Sequence, residues 1–394
     1  MVIKTWTIPR DLGAELPEDL LGNFQTHSVV TSNFSDFHDR LLHGNDNLIQ
    51  YNTYAASILM YISAWCYSNQ EDFTGMMARA GIKGVDCVEV SRWNDAMFIS
   101  ATAEVIRSDD GRLAIVCFRG TELTNPISWL TDVSATPKKV YNDEIQVHGG
   151  FVRNFQSIWP EVVQALCCEI DEGEHEHEHR NLKFCRDEGR LNRLEALYIC
   201  GHSLGGAMAS LAALSLYYVN DEKMRTLRQK LRGVYTYGQP MLVSGKNDHN
   251  YVPALDMYAE HSVFRHVFEK DPVPHLPPVE TGRWCHVGLE LRLKDGVWVP
   301  HARDDYSAQA KTWKIAAGAA VFLTDQLDPI HAMRKVAELS NYNFGHHSPW
   351  SYIDKLPPNP VVAEGLRARL RRAWGALMGE NPQDRENEDR EEEE

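Results

Sequence analysis

One serine in this chain has the neighbours that nucleophilic chemistry needs. Gly201-His202-Ser203-Leu204-Gly205, followed by Gly206, is a G-x-S-x-G sequence. So short a pattern arises by chance, and its setting decides its meaning. LEALYIC at 194–200 reads as a buried strand, and GGAMASLAALSLYYV at 205–219 reads as a helix opened by small residues. Strand, sharp turn and helix are the setting in which such a serine is presented as a nucleophile. The turn forces the serine into a strained backbone conformation. Side chains two positions before and after it would strike the neighbouring strand and helix, which is why glycine suits 201 and 205. The helix points its positive end and free N–H groups at the reacting centre, where an oxyanion is favoured. The backbone N–H of Leu204 is the first such donor.

A serine hydroxyl needs a base, and the base needs an orienting acid. On a sheet of this kind the order along the chain is Ser, then Asp or Glu, then His. Downstream acids include Asp248, Asp256, Asp271, Glu280, Asp304 and Asp325. Asp271 is favoured: it follows the β-prone stretch Val263–Phe268 and precedes the stiff Pro272-Val273-Pro274 loop. Loops after strand carboxyl ends are where α/β sites assemble. The histidines include His249, His261, His266, His275, His286, His301, His331, His346 and His347, and the residues alone do not choose among them.

These groups must be held by a frame. LRGVYTY at 231–237 reads as the next strand, and strand–helix–strand implies a parallel pair with a right-handed crossover. AMFISATAEVI and RLAIVCF, separated by Ser108-Asp109-Asp110-Gly111, read as a hairpin. Residues 151–170 read as an amphipathic helix that Pro160 kinks or splits. Residues 48–70 carry no charge and are long enough to span a bilayer. Their polar residues and the helical spacing of Ala55, Ile58, Leu59, Ile62 and Trp65 favour a buried helix. Residues 1–47 read as an extension wrapped on the core.

The net charge of −15 argues against a nucleic-acid binder. Part of it is local, since residues 380–394 hold nine acids against two arginines and read as a disordered tail. The eight cysteines form no CxxC pair and no disulfide framework. The first residues lack an apolar leader core, which makes a reducing cytoplasm the expected compartment. His175, His177 and His179 alternate with glutamates in the polar stretch 171–190, but no closed set with structural zinc spacing forms, so a solvated insertion is expected and no metal or cofactor. GLRARLRRAWGALMG at 365–379 is a basic amphipathic helix, expected to dock on its own domain rather than on a membrane.

Several of these motifs together resemble the class 3, fungal-type lipase family. CFRGTE (117–122) is similar to its strand entering the oxyanion loop, SWLTDV (128–133) to its lid segment and VHGGF (147–151) to its H-x-G-F element. GHSLGG (201–206) resembles its nucleophile elbow, TYGQP (236–240) and DPVPHLPP (271–278) the next strand and acid loop, and HHSPWSY (346–352) its His segment. The resemblance covers about residues 50–355. It implies an α/β-hydrolase fold: a mixed, mostly parallel sheet flanked by helices, with a mobile lid around 123–130 and the insertion at 171–190. It implies Ser203 as nucleophile, Asp271 as acid and His347, five residues before Tyr352, as base, with His346 the neighbour that could be mistaken for it. Thr121 joins Leu204 as oxyanion donor, and His286 is structural.

The expected activity is therefore a serine ester hydrolase working through an acyl-enzyme on a lipid or small ester, at a membrane or lipid-droplet surface. Phospholipase A1 and short-chain carboxylesterase are the alternatives within that class. A non-catalytic lipase-like scaffold is the rival from another class.

Overall fold

The computed structural model describes residues 1–10, 33–44, 49–97, 99–120, 136–141, 145–168, 170–171, 183–184, 189–244, 258–259, 261–268, 271–294, 296–301, 344–353 and 355–356. The elements that build the frame are β1 (Val2–Ile8), α1 (Phe37–His43), α2 (Thr53–Trp65), α3 (Gln70–Arg79), β2 (Val85–Asn94), β3 (Ile99–Ser108) and β4 (Leu113–Phe118). They continue with β5 (Pro137–Val140), β6 (Ile145–His148), α4 (Gly149–Cys167), β7 (Ala196–His202), α5 (Leu204–Tyr218), α6 (Glu222–Lys230) and β8 (Leu231–Tyr237). Last come β9 (Val243–Ser244), β10 (Val263–Val267), β11 (Trp284–Cys285), β12 (Leu289–Lys294), β13 (Val297–His301) and the short α7 (Pro349–Ile353).

Nine strands form one sheet in the order β1-β2-β3-β4-β7-β8-β10-β12-β13. The five strands from β4 to β12 are mutually parallel, and antiparallel strands close both edges. Phe118, Gly201, Thr236, Arg265 and Glu290 face one another across the parallel strands. In β4, β7 and β8 that row falls on the last or next-to-last residue, and the site lies beyond those ends. A smaller sheet, β11-β9-β6-β5, lies apart from it in the ladder.

Helices cover both faces. α4 and α5 pack on one side with Val105, Val116, Ile199 and Val234. α1, α2 and α7 pack on the other with Ile106, Ile115, Tyr198 and Tyr235. Parallel strands covered on both faces read as near-continuous apolar runs, as LEALYIC and LRGVYTY do.

Within the uncharged stretch 48–70, Thr53–Trp65 form a helix buried on all sides from Tyr54 to Trp65. The Asn52 side chain caps it by accepting from the N–H groups of Tyr54 and Ala55. Ser63 turns its hydroxyl back to the Leu59 carbonyl at 2.7 Å, which is how a polar residue survives there. No helix among the described residues is long and apolar enough to cross a membrane.

Two expectations change. Val2–Ile8, read as part of an extension, is an edge strand of the main sheet, paired to β2 over its whole length. Ile3 and Ile8, an odd number of residues apart, are buried on opposite faces of the sheet. Pro160 neither splits nor ends its helix, which runs unbroken from Gly149 to Cys167. The proline is on the exposed side, where water can take the carbonyl bond that its missing N–H leaves unmade. The 108–113 hairpin forms as read. Asp110 Oδ1 accepts from Ser108 Oγ at 2.6 Å and from the Arg112 N–H at 3.0 Å. The seven described cysteines are buried, and none forms a disulfide among the described residues. The His-rich stretch, the lid segment 123–130, the helix at 365–379 and the acidic tail lie outside the described residues.

Candidate active site

β7 ends at His202 and α5 starts at Leu204, so Ser203 alone makes the turn. Its backbone sits at φ 60°, ψ −128°, one of two non-glycine residues with positive φ among those described. A conformation this sparsely populated persists only where its surroundings enforce it. The Ser203 N–H donates to the Tyr237 carbonyl at 2.9 Å, and the Ser203 carbonyl accepts from Gly206 and Ala207. A Cβ at Gly201 would run into the backbone of Gly205, and one at Gly205 into the Phe118 carbonyl on the next strand. Both collisions are with main chain, so neither neighbour can yield. Leu204 opens a fifteen-residue helix, and its N–H has no intrahelical partner by construction.

β10 delivers the acid. Asp271 follows it by four residues and is fully buried. A buried carboxylate is tolerated only when hydrogen bonds replace its water. Three donors do so: the Val273 N–H on Oδ1 at 2.9 Å, and His347 Nδ1 at 2.9 Å and the Tyr352 hydroxyl at 2.5 Å on Oδ2. Tyr352 lies on α7 and also accepts from the Phe268 N–H at 3.2 Å. Burial, then the nearby Asp271 charge, pushes the Tyr352 phenol well above its ordinary range, which keeps it a donor.

The structure chooses between the adjacent histidines. His347 is buried and bonded to Asp271, whereas His346 turns its ring onto Phe268, 5.2 Å between centroids. With Nδ1 engaged by the carboxylate, His347 Nε2 is buried and has no hydrogen-bond partner among the described residues. Gly238 closes the geometry: a Cβ there would come within 2.7 Å of Asp271 Oδ2 and 2.8 Å of His347 Nδ1. Ser203 is bonded to Tyr237, the residue before it. Ser203 and His347 thus flank the Tyr237-Gly238 dipeptide, at the carboxyl ends of β7, β8 and β10.

His202 completes the frame. It is fully buried; Nδ1 meets the Tyr67 hydroxyl at 2.9 Å and Nε2 meets the His347 carbonyl at 2.8 Å. Burial, then the neighbouring His347, holds its pKa well below the usual histidine range, so the ring is neutral. His266 is neutral for the same reason, pushed down to about 3 by burial. It bridges Thr236 O at 3.2 Å and the Tyr51 hydroxyl at 3.1 Å. His286 Nε2 meets the Pro274 carbonyl at 2.8 Å, bracing the acid loop.

Ser203, Leu204, Asp271 and His347 therefore converge, while Thr121 lies outside the described residues. Among those residues no cluster fit to hold a metal ion occurs. Tyr67 and His202 were not singled out for any role by the sequence. The position within the motif marks His202; nothing marks Tyr67.

A strand–elbow–helix serine on a mostly parallel sheet, with an acid and histidine from later loops, defines an α/β-hydrolase. Residues 115–281 match the Lipase (class 3) family model. The matched span contains Ser203 and Asp271 and stops short of His347. A lipase of Rhizomucor miehei is 27% identical over 207 residues, 52% of this chain and 48% of the relative. A triacylglycerol lipase (OBL1) of Arabidopsis thaliana is 28% identical over 256 residues, 60% of this chain and 47% of the relative. The chain thus spans about half the length of these curated relatives. Among solved structures, lipase II of Rhizopus niveus overlaps 62% of this chain and 80% of its own, at 22% identity and a TM-score of 0.41.

Proposed function

We propose that the protein is a serine ester hydrolase acting on lipid esters by way of an acyl-enzyme. The observation that carries this reading is the 2.9 Å bond from His347 Nδ1 to buried Asp271, with Nε2 free of hydrogen-bond partners among the described residues and Ser203 strained at the end of β7. In the proposed reaction His347 Nε2 takes the Ser203 proton as Oγ attacks the ester carbonyl carbon. Asp271 holds the imidazole in the tautomer with Nδ1–H and stabilises the imidazolium. The developing oxyanion takes the Leu204 N–H at the helix start, with Thr121 as the second donor. Collapse of the tetrahedral intermediate expels the alcohol, which receives the proton from His347. Water then attacks the acyl-Ser203 ester by the same base, releasing the acid.

Lipid as the substrate class is supported by the family match and by relatives named as lipases and a triacylglycerol lipase. The test compares wild type with Ser203→Ala on p-nitrophenyl esters of graded chain length and on emulsified triacylglycerol and phospholipid. The proposal expects hydrolysis to fall at least about a thousandfold in the variant on every ester the wild type cleaves. Wild-type rates from Ser203→Ala overturn it, and the panel separates triacylglycerol, phospholipid and short-ester preference.

A further inference from the structure

We propose that Tyr67 is a positioning residue for this site, its single hydroxyl tying together the segments that carry the oxyanion donor, the nucleophile and the base. The inference rests on the catalytic reading above and goes beyond it, because Tyr67 lies more than a hundred residues from every group in the proposed reaction except the oxyanion loop.

The hydrogen-bond directions in the chain follow from one fixed end. The His347 carbonyl can only accept, so His202 Nε2, 2.8 Å away, carries the proton. A neutral imidazole then has Nδ1 as acceptor, and its partner at 2.9 Å, the Tyr67 hydroxyl, must donate. The Tyr67 oxygen is left to accept, and the Gly120 N–H donates to it. The relay reads Gly120 N–H to Tyr67 O–H to His202 Nδ1, then His202 Nε2–H to the His347 carbonyl, with every link pointing one way. Burial keeps the phenol protonated and the imidazole neutral, so neither reverses near neutral pH.

What the relay joins makes it more than packing. Gly120 immediately precedes Thr121, His202 immediately precedes Ser203, and the last acceptor is the backbone of His347 itself. The His202 ring also lies against the His347 ring, tilted by 31° at 4.5 Å between centroids. Gly120 fits so tightly that a Cβ there would collide with the Tyr67 hydroxyl and lie 2.6 Å from the His202 carbonyl. Tyr67 follows α2 by two residues. The buried helix therefore anchors the phenol, and the phenol sets the distance between the oxyanion loop and the elbow.

The test is Tyr67→Phe, which keeps the ring and removes the hydroxyl, beside His202→Leu and the double variant in the full chain. Each is measured for kcat and KM on a soluble p-nitrophenyl ester, for the second-order rate of fluorophosphonate labelling at Ser203, and for Tm. The proposal expects Tyr67→Phe to lower kcat and the labelling rate at least tenfold, with KM within about twofold. It expects the double variant to be no slower than the slower single one, since both cut the same relay. Tm serves as the control for a purely structural loss: a Tyr67→Phe protein that melts within a few degrees of wild type and labels at the wild-type rate overturns the proposal. So do losses that multiply in the double variant. Absence of wild-type labelling at Ser203 instead overturns the catalytic reading, and the two failures are thereby distinguished.

Discussion

His148 offers a quantitative test of how burial sets the acid tolerance of this fold. It closes β6, is fully buried and stacks on Phe151 at 4.0 Å and against Trp284 at 5.2 Å. Neither ring nitrogen has a hydrogen-bond partner among the described residues. Burial alone pushes its pKa down to about 3. The unfolded chain titrates near the ordinary value of about 6.5. Because the folded-state value is the lower one, the unfolded state binds more protons, and stability is lost as pH falls from about 6.5 toward 3. Each pH unit inside that window is worth about 1.4 kcal/mol, so going from pH 7 to pH 5 removes about 2 kcal/mol through this one ring. That is a large fraction of a typical folding free energy of about 5–15 kcal/mol.

His148→Phe keeps an aromatic ring and removes the titration. Its extra volume costs about 1–3 kcal/mol, partly offset by removing two unpartnered nitrogens, and that offset does not depend on pH. The discriminating quantity is therefore the change in the gap between variant and wild type. Urea denaturation at pH 7 and pH 5 should show it moving by about 2 kcal/mol in favour of His148→Phe at the lower pH. Identical pH dependence in the two proteins refutes the assignment of a neutral, unpartnered imidazole.

Tyr352→Phe removes a donor from buried Asp271 and orphans the Phe268 N–H. The expected loss is about 2 kcal/mol or more by urea denaturation, with a lower kcat on soluble esters, and an unchanged kcat contradicts a supporting role for the phenol. Gly205→Ala drives a Cβ into the Phe118 carbonyl. Circular dichroism and ester assays should find it unfolded, or folded with activity reduced at least about a hundredfold, as expected when an elbow shift of about 1 Å misplaces the nucleophile. Acid unfolding of the wild type should begin as pH drops below about 6, because His266 and His202 are depressed as His148 is. A protein equally stable at pH 7 and pH 4.5 contradicts the neutral assignments.

The residues that were legible in the sequence are those whose chemistry is local. The elbow needs two glycines at fixed offsets and a strand and helix on either side, all of which are contiguous. Asp271 was legible because a strand and a proline-stiffened loop bracket it. His347 is not legible from its surroundings: only the resemblance of its segment points to it, and chain folding brings it onto Asp271, 76 positions back. The long-range partners were invisible for the same reason. Nothing in the composition around Tyr67 announces a bond to a residue 135 positions away. The edge strand Val2–Ile8 is buried only at Ile3 and Ile8, a pattern that also fits a surface segment, and only pairing to β2 decides it.

The central claim is that the Ser203 hydroxyl is made nucleophilic by His347 and Asp271. The direct measurement is reaction with a fluorophosphonate, followed by peptide mapping of the adduct in wild type, His347→Ala and Asp271→Asn. A single adduct on Ser203 in the wild type, formed at least a hundredfold more slowly in both variants, is the predicted result. An enzyme that hydrolyses esters without an adduct at Ser203, or a His347→Ala protein labelled at the wild-type rate, contradicts it.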